Sequence, residues 1–228
     1  ERIQEIIFSR FREDNLNKQG KWSNLRLDVS HCHLYNLLAD GIFNQQVSFF
    51  KTHFHKKADF SGAHFYDVTW FDEAHFHDDA GFDEAHFHDE VTFEKSIFHN
   101  AWFRKARFYN SGKFRGAHFR NDANFKETFF YEDAVFIGAR FYRNAVFSSA
   151  FFKKDAQFRK VMFKQGASFK ATRFGGDPEL RSLQLNTKIW FEDAEFALSK
   201  YSDEINSLRD SGFDLEEAKF DVSFSGIK

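Results

Sequence analysis

The chain has 228 residues, a formal net charge of −2 and a pI of about 6.6, so its overall charge provides no general attraction to nucleic acid or to anionic membranes. Its mean hydropathy is −0.58, and no apolar run is long enough to span a bilayer, which excludes membrane insertion through a helix. A single cysteine excludes an internal disulfide framework and is typical of a reducing compartment, so we expect a cytoplasmic protein.

The N-terminal segment, residues 1–21, is predicted to be a helical cap. Ile3, Ile7 and Phe11 recur at helical spacing within it. Because the chain begins with Glu1 rather than Met, we also expect it to be a domain of a larger bacterial protein.

An apolar ladder begins after this segment and dominates the sequence. Trp22, Leu27, Cys32 and Leu38 follow one another at steps of five or six residues, and Cys32 is interpreted as a small core residue. From Phe43 the ladder consists of 25 consecutive Phe, whose steps alternate between six and five residues. One step, from Phe98 to Phe103, is short by one residue.

The ladder predicts short strands separated by regular corners. The residue two before each Phe is small or β-branched, and it is Ala in 15 cases. In such an A-x-F strand both apolar side chains point to the same face. A five-residue step would turn the next Phe outward in a continuous strand, so the chain must turn a corner at every step. A helical supercoil is rejected because steps of five and six leave no coherent polar face. The ladder residues assigned to the core include Phe71, Phe76, Phe82, Phe87, Phe119 and Phe125.

This pattern resembles the pentapeptide-repeat family, in a Phe-centred form with alternating five- and six-residue steps. The resemblance covers residues 22–196. It implies an all-β fold, a right-handed quadrilateral β-helix in which the Phe and the small residue two before it point inward. The extra residue at alternate corners predicts a 22-residue coil, made of two five-residue and two six-residue steps. The short step then predicts that the outward rows slip by one residue between residues 93 and 108.

The C-terminal end of the ladder is less regular. Leu180, Leu185, Phe191 and Phe196 keep its phase, and the phase is lost afterwards. Residues 197–228 combine a helical pattern with a final alternating stretch. Because a solenoid must cover its terminal coils, both end segments are interpreted as caps. Dimerisation through the C-terminal segment is the alternative interpretation of that segment.

The near-neutral total hides two charged sections. Residues 58–94 contain eleven acidic residues and no Lys or Arg, whereas residues 95–175 contain seventeen basic and five acidic residues. This distribution is consistent either with an ordinary solvated surface or with a dipolar rod that attracts partners or weakly self-associates.

Two outward constellations are candidate binding sites. His53, His55, His75, His77 and His99 fall on one side of a 22-residue coil, and His64, His86 and His88 fall on another. They lack the fixed spacing of a dedicated zinc motif, so neither a metal site nor a cofactor is assigned, and solvated repeat copies are the simpler interpretation. Tyr109, Phe129, Tyr131 and Phe151 are predicted to form an exposed aromatic strip, with rings that lie flat over the corners as the alternative.

No motif of a nucleotide-binding loop or a nucleophile elbow is present, and the chain is not expected to be an enzyme. The preferred function is a non-catalytic protein–protein interaction or scaffold module, whose partner is another protein or a second domain of the parent chain, and not nucleic acid. The family resemblance implies an alternative, because some pentapeptide-repeat proteins mimic DNA and bind topoisomerases. The basic section argues against a mimic, which needs acidic surface along its length. Ligand or metal binding on the aromatic or His surface is the second alternative.

Overall fold

The structure is a computed structural model that describes residues 7–8 and 23–176 in full, together with the backbone of short strands between residues 184 and 221. In the described part, the chain winds into a four-sided β-solenoid whose paired strands are all parallel. The predicted fold class is therefore confirmed.

Most strands contain two or three residues, and strands that follow each other by one coil pair on the same side. Side 1 contains β2 (His33–Leu34), β6 (His53–Phe54), the first halves of β10 (His75–Gly81) and β13 (Ile97–Trp102), β16 (His118–Phe119), β20 (Arg140–Phe141), β24 (Met162–Phe163) and β27 (Gln184–Leu185). Side 2 contains β3 (Leu37–Leu38), β7 (Ala58–Asp59), the second halves of β10 and β13, β17 (Ala123–Asn124), β21 (Asn144–Val146), β25 (Gly166–Ser168) and β28 (Ile189–Trp190).

The other two sides complete each coil. Side 3 contains β4 (Ile42–Phe43), β8 (His64–Phe65), β11 (His86–Phe87), β14 (Arg107–Phe108), β18 (Phe129–Phe130), β22 (Phe151–Phe152), β26 (Arg173–Phe174), β29 (Glu195–Ala197) and β30 (Lys219–Asp221). Side 4 contains β1 (Leu27–Asp28), β5 (Val47–Ser48), β9 (Thr69–Trp70), β12 (Val91–Thr92), β15 (Gly112–Lys113), β19 (Ala134–Val135) and β23 (Ala156–Gln157). Sides 1 and 3 are opposite each other, because two corners separate them along the chain.

The core consists of four columns of stacked Phe rings, one for each side. Neighbouring rings within a column lie 4.5 to 5.2 Å apart, and their planes differ by at most 19°. The columns of sides 2 and 4 also meet edge-on across the coil, as in the Phe114–Phe125 pair at 5.5 Å and 90°. The six ladder residues assigned to the core, Phe71, Phe76, Phe82, Phe87, Phe119 and Phe125, have exposures of 2 % or less.

The five-residue steps have a common corner. In each, apart from the short step between Phe98 and Phe103, the amide of the residue three after a ladder Phe donates to that Phe carbonyl, as from Ala74 to Phe71 at 3.0 Å. The residue before the donor has a positive φ, which is 54° at Glu73 and 68° at Gly138. Such a turn places its third residue in the left-handed region, which glycine tolerates best. Charged residues nevertheless occupy most of these positions, because their side chains point into solvent.

The short step produces the predicted slip. Phe76 pairs with Phe98, but Ala80 pairs with Ala101, so the offset between paired residues falls by one. The register shifts between Phe76 and Asp79. At this corner β10 and β13 continue from side 1 to side 2 without interruption, so the two sides form one sheet.

The first coil departs from the sequence prediction. Cys32 is exposed and Leu38 is 45 % exposed, so their assignment to the ladder is wrong. Leu34 and Ala39 are buried in their place, and Leu34 pairs with Phe54. Pairing with the next coil decides which residues face inward, and apolar spacing alone did not specify it.

The predicted caps lie almost entirely outside the described residues, and so do Trp22, Leu180 and Phe191. At the N-terminal end the structure describes Ile7 and Phe8, which are helical. Phe8 is buried and stacks on Phe49 at 6.2 Å, so it extends that Phe column by one ring. At the other end Leu185 and Phe196 keep the ladder register with Phe163 and Phe174.

Candidate functional site on the outer walls

The outward residues that flank the ladder Phe form rows along the solenoid. Because each strand pairs with the strand one coil away, equivalent outward side chains lie directly above one another. Sides 1 and 3 carry the aromatic and histidine rows, so these two walls contain the candidate sites.

A continuous row of stacked rings runs along side 3. We call Tyr66, His88, Tyr109 and Tyr131 the Tyr row. The ring of His88 lies 4.1 Å from that of Tyr66 and 4.8 Å from that of Tyr109, and the Tyr109 and Tyr131 rings are 5.1 Å apart. The planes of successive rings differ by 10° or less. The sequence pattern predicted the two tyrosines at the end of the row but not Tyr66 and His88, which join it at a spacing of 22 residues, reduced to 21 between His88 and Tyr109 by the slip.

The other two residues of the predicted aromatic strip lie beside this row. Phe129 is half-buried, and the Arg107 guanidinium lies over its ring at 5.9 Å. Phe151 is only 9 % exposed, so its prediction as part of an exposed strip is wrong. Its ring meets that of Phe129 edge-on at 6.3 Å.

Two groups of three histidines converge on the opposite walls. We define cluster A as His53, His75 and His77 on side 1, and cluster B as His64, His86 and His88 on side 3. Within each cluster one ligand nitrogen from every ring lies within 4.8 Å of the others. Two rings of each cluster are within hydrogen-bond distance: Nδ1 of His53 lies 3.2 Å from Nε2 of His77, and Nδ1 of His64 lies 3.4 Å from Nε2 of His88.

The cluster environment favours neutral imidazoles. Burial lowers the pKa of His53, His75, His77 and His88, and neighbouring imidazoles lower each of these further. Burial, together with the nearby His64 and Arg107, lowers the pKa of His86 to about 4. Their ring nitrogens are therefore available as acceptors or as metal ligands at neutral pH.

Ion pairs join the acidic and basic sections at their boundary. Arg104 donates to Asp83 through Nε at 2.9 Å, and Lys113 lies 2.6 Å from Glu90. The pairs Lys105–Glu84 and Arg115–Glu94 are longer, at 3.8 and 3.7 Å. The opposite charges are thus partly neutralised within the chain, although each exposed pair contributes little stability.

The described residues form shallow grooves on the walls. One groove of about 270 Å³ runs along side 2 between Trp102 and Ser168, and a second of about 370 Å³ lies at the corner that contains Asp83 and Arg104. Stacked Phe rings fill the interior between the four sides.

Among the described residues, no helix has the length and apolar character needed to cross a membrane.

A family model described as pentapeptide repeats (9 copies) matches overlapping stretches of the chain, namely residues 49–97, 71–116, 93–132 and 114–162. Together these stretches cover residues 49–162, half of the chain. The chain belongs to the pentapeptide-repeat family. The matched region lies within the Phe ladder, includes its short step, and contains all of cluster A, cluster B and the Tyr row.

Among solved structures, this pentapeptide-repeat chain is similar to trypsin-treated QnrB1, described as a plasmid-mediated fluoroquinolone resistance protein. The two are 14 % identical over 71 % of this chain and 91 % of QnrB1, with a TM-score of 0.22. No curated protein matches the chain.

Proposed function

We propose that this pentapeptide-repeat chain is a non-catalytic interaction module, and that another protein docks on the Tyr row of side 3. The observation that carries this proposal is the row itself. Four outward rings stack over four consecutive coils, and Tyr66 at its end is 46 % exposed. Tyrosine is enriched at protein interfaces because its ring is apolar while its hydroxyl remains able to hydrogen-bond.

The neighbouring charges indicate the chemistry of the partner. Lys153 is exposed and lies one coil after Tyr131. Arg107 is also exposed and lies two residues before Tyr109 on the same side. These cations border the apolar rings at the end of the row that lies in the basic section. We therefore expect the partner to present an acidic patch around a small apolar centre.

The walls support a binding role over catalysis or DNA mimicry. The two grooves are shallow, and the Phe core leaves no interior pocket within the described coils. A DNA mimic would need a continuous acidic surface, whereas exposed cations such as Arg140 and Lys153 occupy the coils after residue 95.

The test compares three immobilised chains in an extract of the organism that encodes the protein, with EDTA present throughout. The double variant Tyr109→Ala/Tyr131→Ala removes two rings of the Tyr row. The control, Tyr142→Ala, removes another outward tyrosine that follows a ladder Phe, but on side 1. Quantitative mass spectrometry measures every captured protein, and circular dichroism verifies that the variants fold.

We expect a protein that the wild-type and Tyr142→Ala chains retain equally and that the double variant loses by at least tenfold. Binding of that purified protein to the three chains must then follow the same order. If no protein distinguishes the double variant from the control, the Tyr row is not the docking surface.

A further inference from the structure

We propose that the chain binds two divalent first-row transition-metal ions, one at cluster A and one at cluster B. This inference goes beyond the proposed protein docking and does not depend on it. Each cluster presents three imidazoles from two consecutive coils, with one ligand nitrogen from every ring inside a 4.8 Å limit. Imidazole is a preferred ligand of zinc, copper and nickel.

The two clusters are equivalent by the eleven-residue repeat. His64, His86 and His88 each follow a member of cluster A by eleven residues, which moves the chain through two sides and places them on the opposite wall. The ring separations correspond: 4.7 and 4.4 Å for the first pair, 5.5 and 5.7 Å for the second, and 6.0 Å in both clusters for the third. The same backbone geometry thus builds the site twice.

One nitrogen pair in each cluster already has the spacing that a metal requires. Zinc–nitrogen bonds of about 2.0–2.1 Å place two ligands of a tetrahedral ion about 3.3–3.4 Å apart. The Nδ1–Nε2 distances of 3.2 Å in cluster A and 3.4 Å in cluster B agree with that spacing. The third ring has a nitrogen within 4.8 Å of the other two, so the proposed site requires this ring to rotate toward the ion and a solvent molecule to be the fourth ligand.

The charges around the two clusters are mixed. Apart from His53, all the ligands of the two clusters lie in residues 58–94, which contain eleven acidic residues and no Lys or Arg. Glu73 acts on His75 electrostatically and attracts positive charge. Arg120 near cluster A and Arg107 near cluster B oppose it. The cation must therefore be held by direct bonds to the imidazoles rather than by the field alone.

The neighbours of the two clusters differ on the N-terminal side, where His33 stacks on His53 of cluster A at 4.9 Å and Ile42 pairs with His64 of cluster B. His55, eleven residues before Tyr66, stacks on His77 at 5.1 Å, whereas Tyr66 stacks on His88. Cluster A thus has further imidazoles beside it and cluster B has a phenol. We expect cluster A to bind the ion more tightly for this reason.

The experiment titrates Zn²⁺ into the full chain, prepared without a polyhistidine tag, by isothermal calorimetry at pH 7.5. His77→Gln disables cluster A and His88→Gln disables cluster B. Two matched controls replace outward histidines outside both clusters: His99→Gln, which also follows a ladder Phe, and His118→Gln, which precedes one. Co²⁺ serves as a second probe, because its visible absorption reports tetrahedral nitrogen coordination directly.

We expect the wild type and both controls to bind two equivalents of Zn²⁺. Each single variant should bind one equivalent, and the double variant His77→Gln/His88→Gln should bind none. Co²⁺ absorption should halve in each single variant. The proposal is overturned if the wild type shows no saturable binding, or if the double variant keeps both equivalents. Equal losses in the controls would likewise overturn it, since they would assign the ion to scattered surface histidines. Thermal melting in EDTA verifies that every variant is folded before titration.

Discussion

The neighbouring residues Phe129 and Phe130 allow the inward assignment to be tested with one substitution at two adjacent positions. Phe130 is fully buried and stacks between Phe108 at 4.5 Å and Phe152 at 5.0 Å. It also meets Phe136 edge-on at 6.0 Å. Phe129 points outward and is half-buried, and its ring contacts those of Phe151 and Tyr131.

The expected loss of unfolding free energy depends on how far the surrounding structure can collapse into the space left by the ring. Replacement of a buried Phe by Ala costs about 3–5 kcal/mol of unfolding free energy, and the cost is highest where the site cannot collapse. Hydrogen bonds to the coils on both sides hold the backbone around Phe130. The Tyr131 amide donates to the Phe108 carbonyl at 2.9 Å, and the Lys153 amide donates to the Phe130 carbonyl at 2.8 Å. We therefore expect about 4–5 kcal/mol for Phe130→Ala. Phe129→Ala should cost about 1 kcal/mol, because it removes partly exposed area, two weak ring pairs and the Arg107 contact.

Urea unfolding followed by far-ultraviolet circular dichroism measures both variants. With a slope of about 2–3 kcal/mol per molar urea, the midpoint should fall by about 1.3–2.5 M for Phe130→Ala and by about 0.3–0.5 M for Phe129→Ala. The comparison requires that both variants and the wild type have the same dependence of unfolding free energy on urea concentration. A repeat array can lose cooperativity, and a changed slope would reveal this. Comparable midpoint shifts for the two variants would show that the alternation of inward and outward residues is misassigned.

Three further outcomes are expected. Gly138→Ala should lower the unfolding free energy by about 1 kcal/mol, because φ there is +68° and an added Cβ meets no atom within 4 Å, so the cost is confined to the backbone; a higher melting temperature would contradict this. Acid should destabilise the chain: the pKa of His86 lies near 4 in the folded state and below its unfolded value, so its contribution is complete above about pH 6.5 and is lost as the pH falls toward 4. The urea midpoint at pH 5 should therefore lie below that at pH 7, with a smaller difference in His86→Gln, and a pH-independent midpoint would exclude the effect. Weak self-association between the acidic section and exposed cations such as Arg140 and Arg143 should appear in light scattering below about 0.15 M salt and disappear above it, whereas an apolar dimer of the C-terminal segment would persist.

Residue spacing predicted the fold wherever the sequence repeat has a regular length. The Phe ladder, the inward alanines and the slip after Phe98 follow from residue counts, because parity and coil length leave one solution. In the first coil the ladder residues are mixed, and two registers satisfy the apolar pattern. The register that buries Leu34 is selected by its pairing with Phe54, which is a contact between coils.

Features that depend on side-chain rotamers were less predictable. The 22-residue spacing placed His53 with His75 and His64 with His86, but convergence of a third nitrogen depends on how His77 and His88 turn across the wall. The left-handed residues at the corners could not be predicted from the sequence. Most of them are Glu or Lys, which are also common at other solvent-exposed positions. Phe151 was misjudged because an outward direction from the strand does not guarantee exposure.

The slip at Phe98–Phe103 has a consequence for how the length of such a chain can change during evolution. Phe119 pairs with Phe141, so excision of residues 120–141 joins equivalent positions and shortens the rod by one coil, about 4.8 Å. Phe87 pairs with Phe108, and excision of residues 88–108 also joins equivalent positions, although it removes one residue fewer. That second deletion would eliminate the irregular coil altogether and leave uniform coils on both sides of the junction. Gene duplications and losses in this chain should therefore occur in units of one regular coil, except across the slip, where the unit is shorter by one residue.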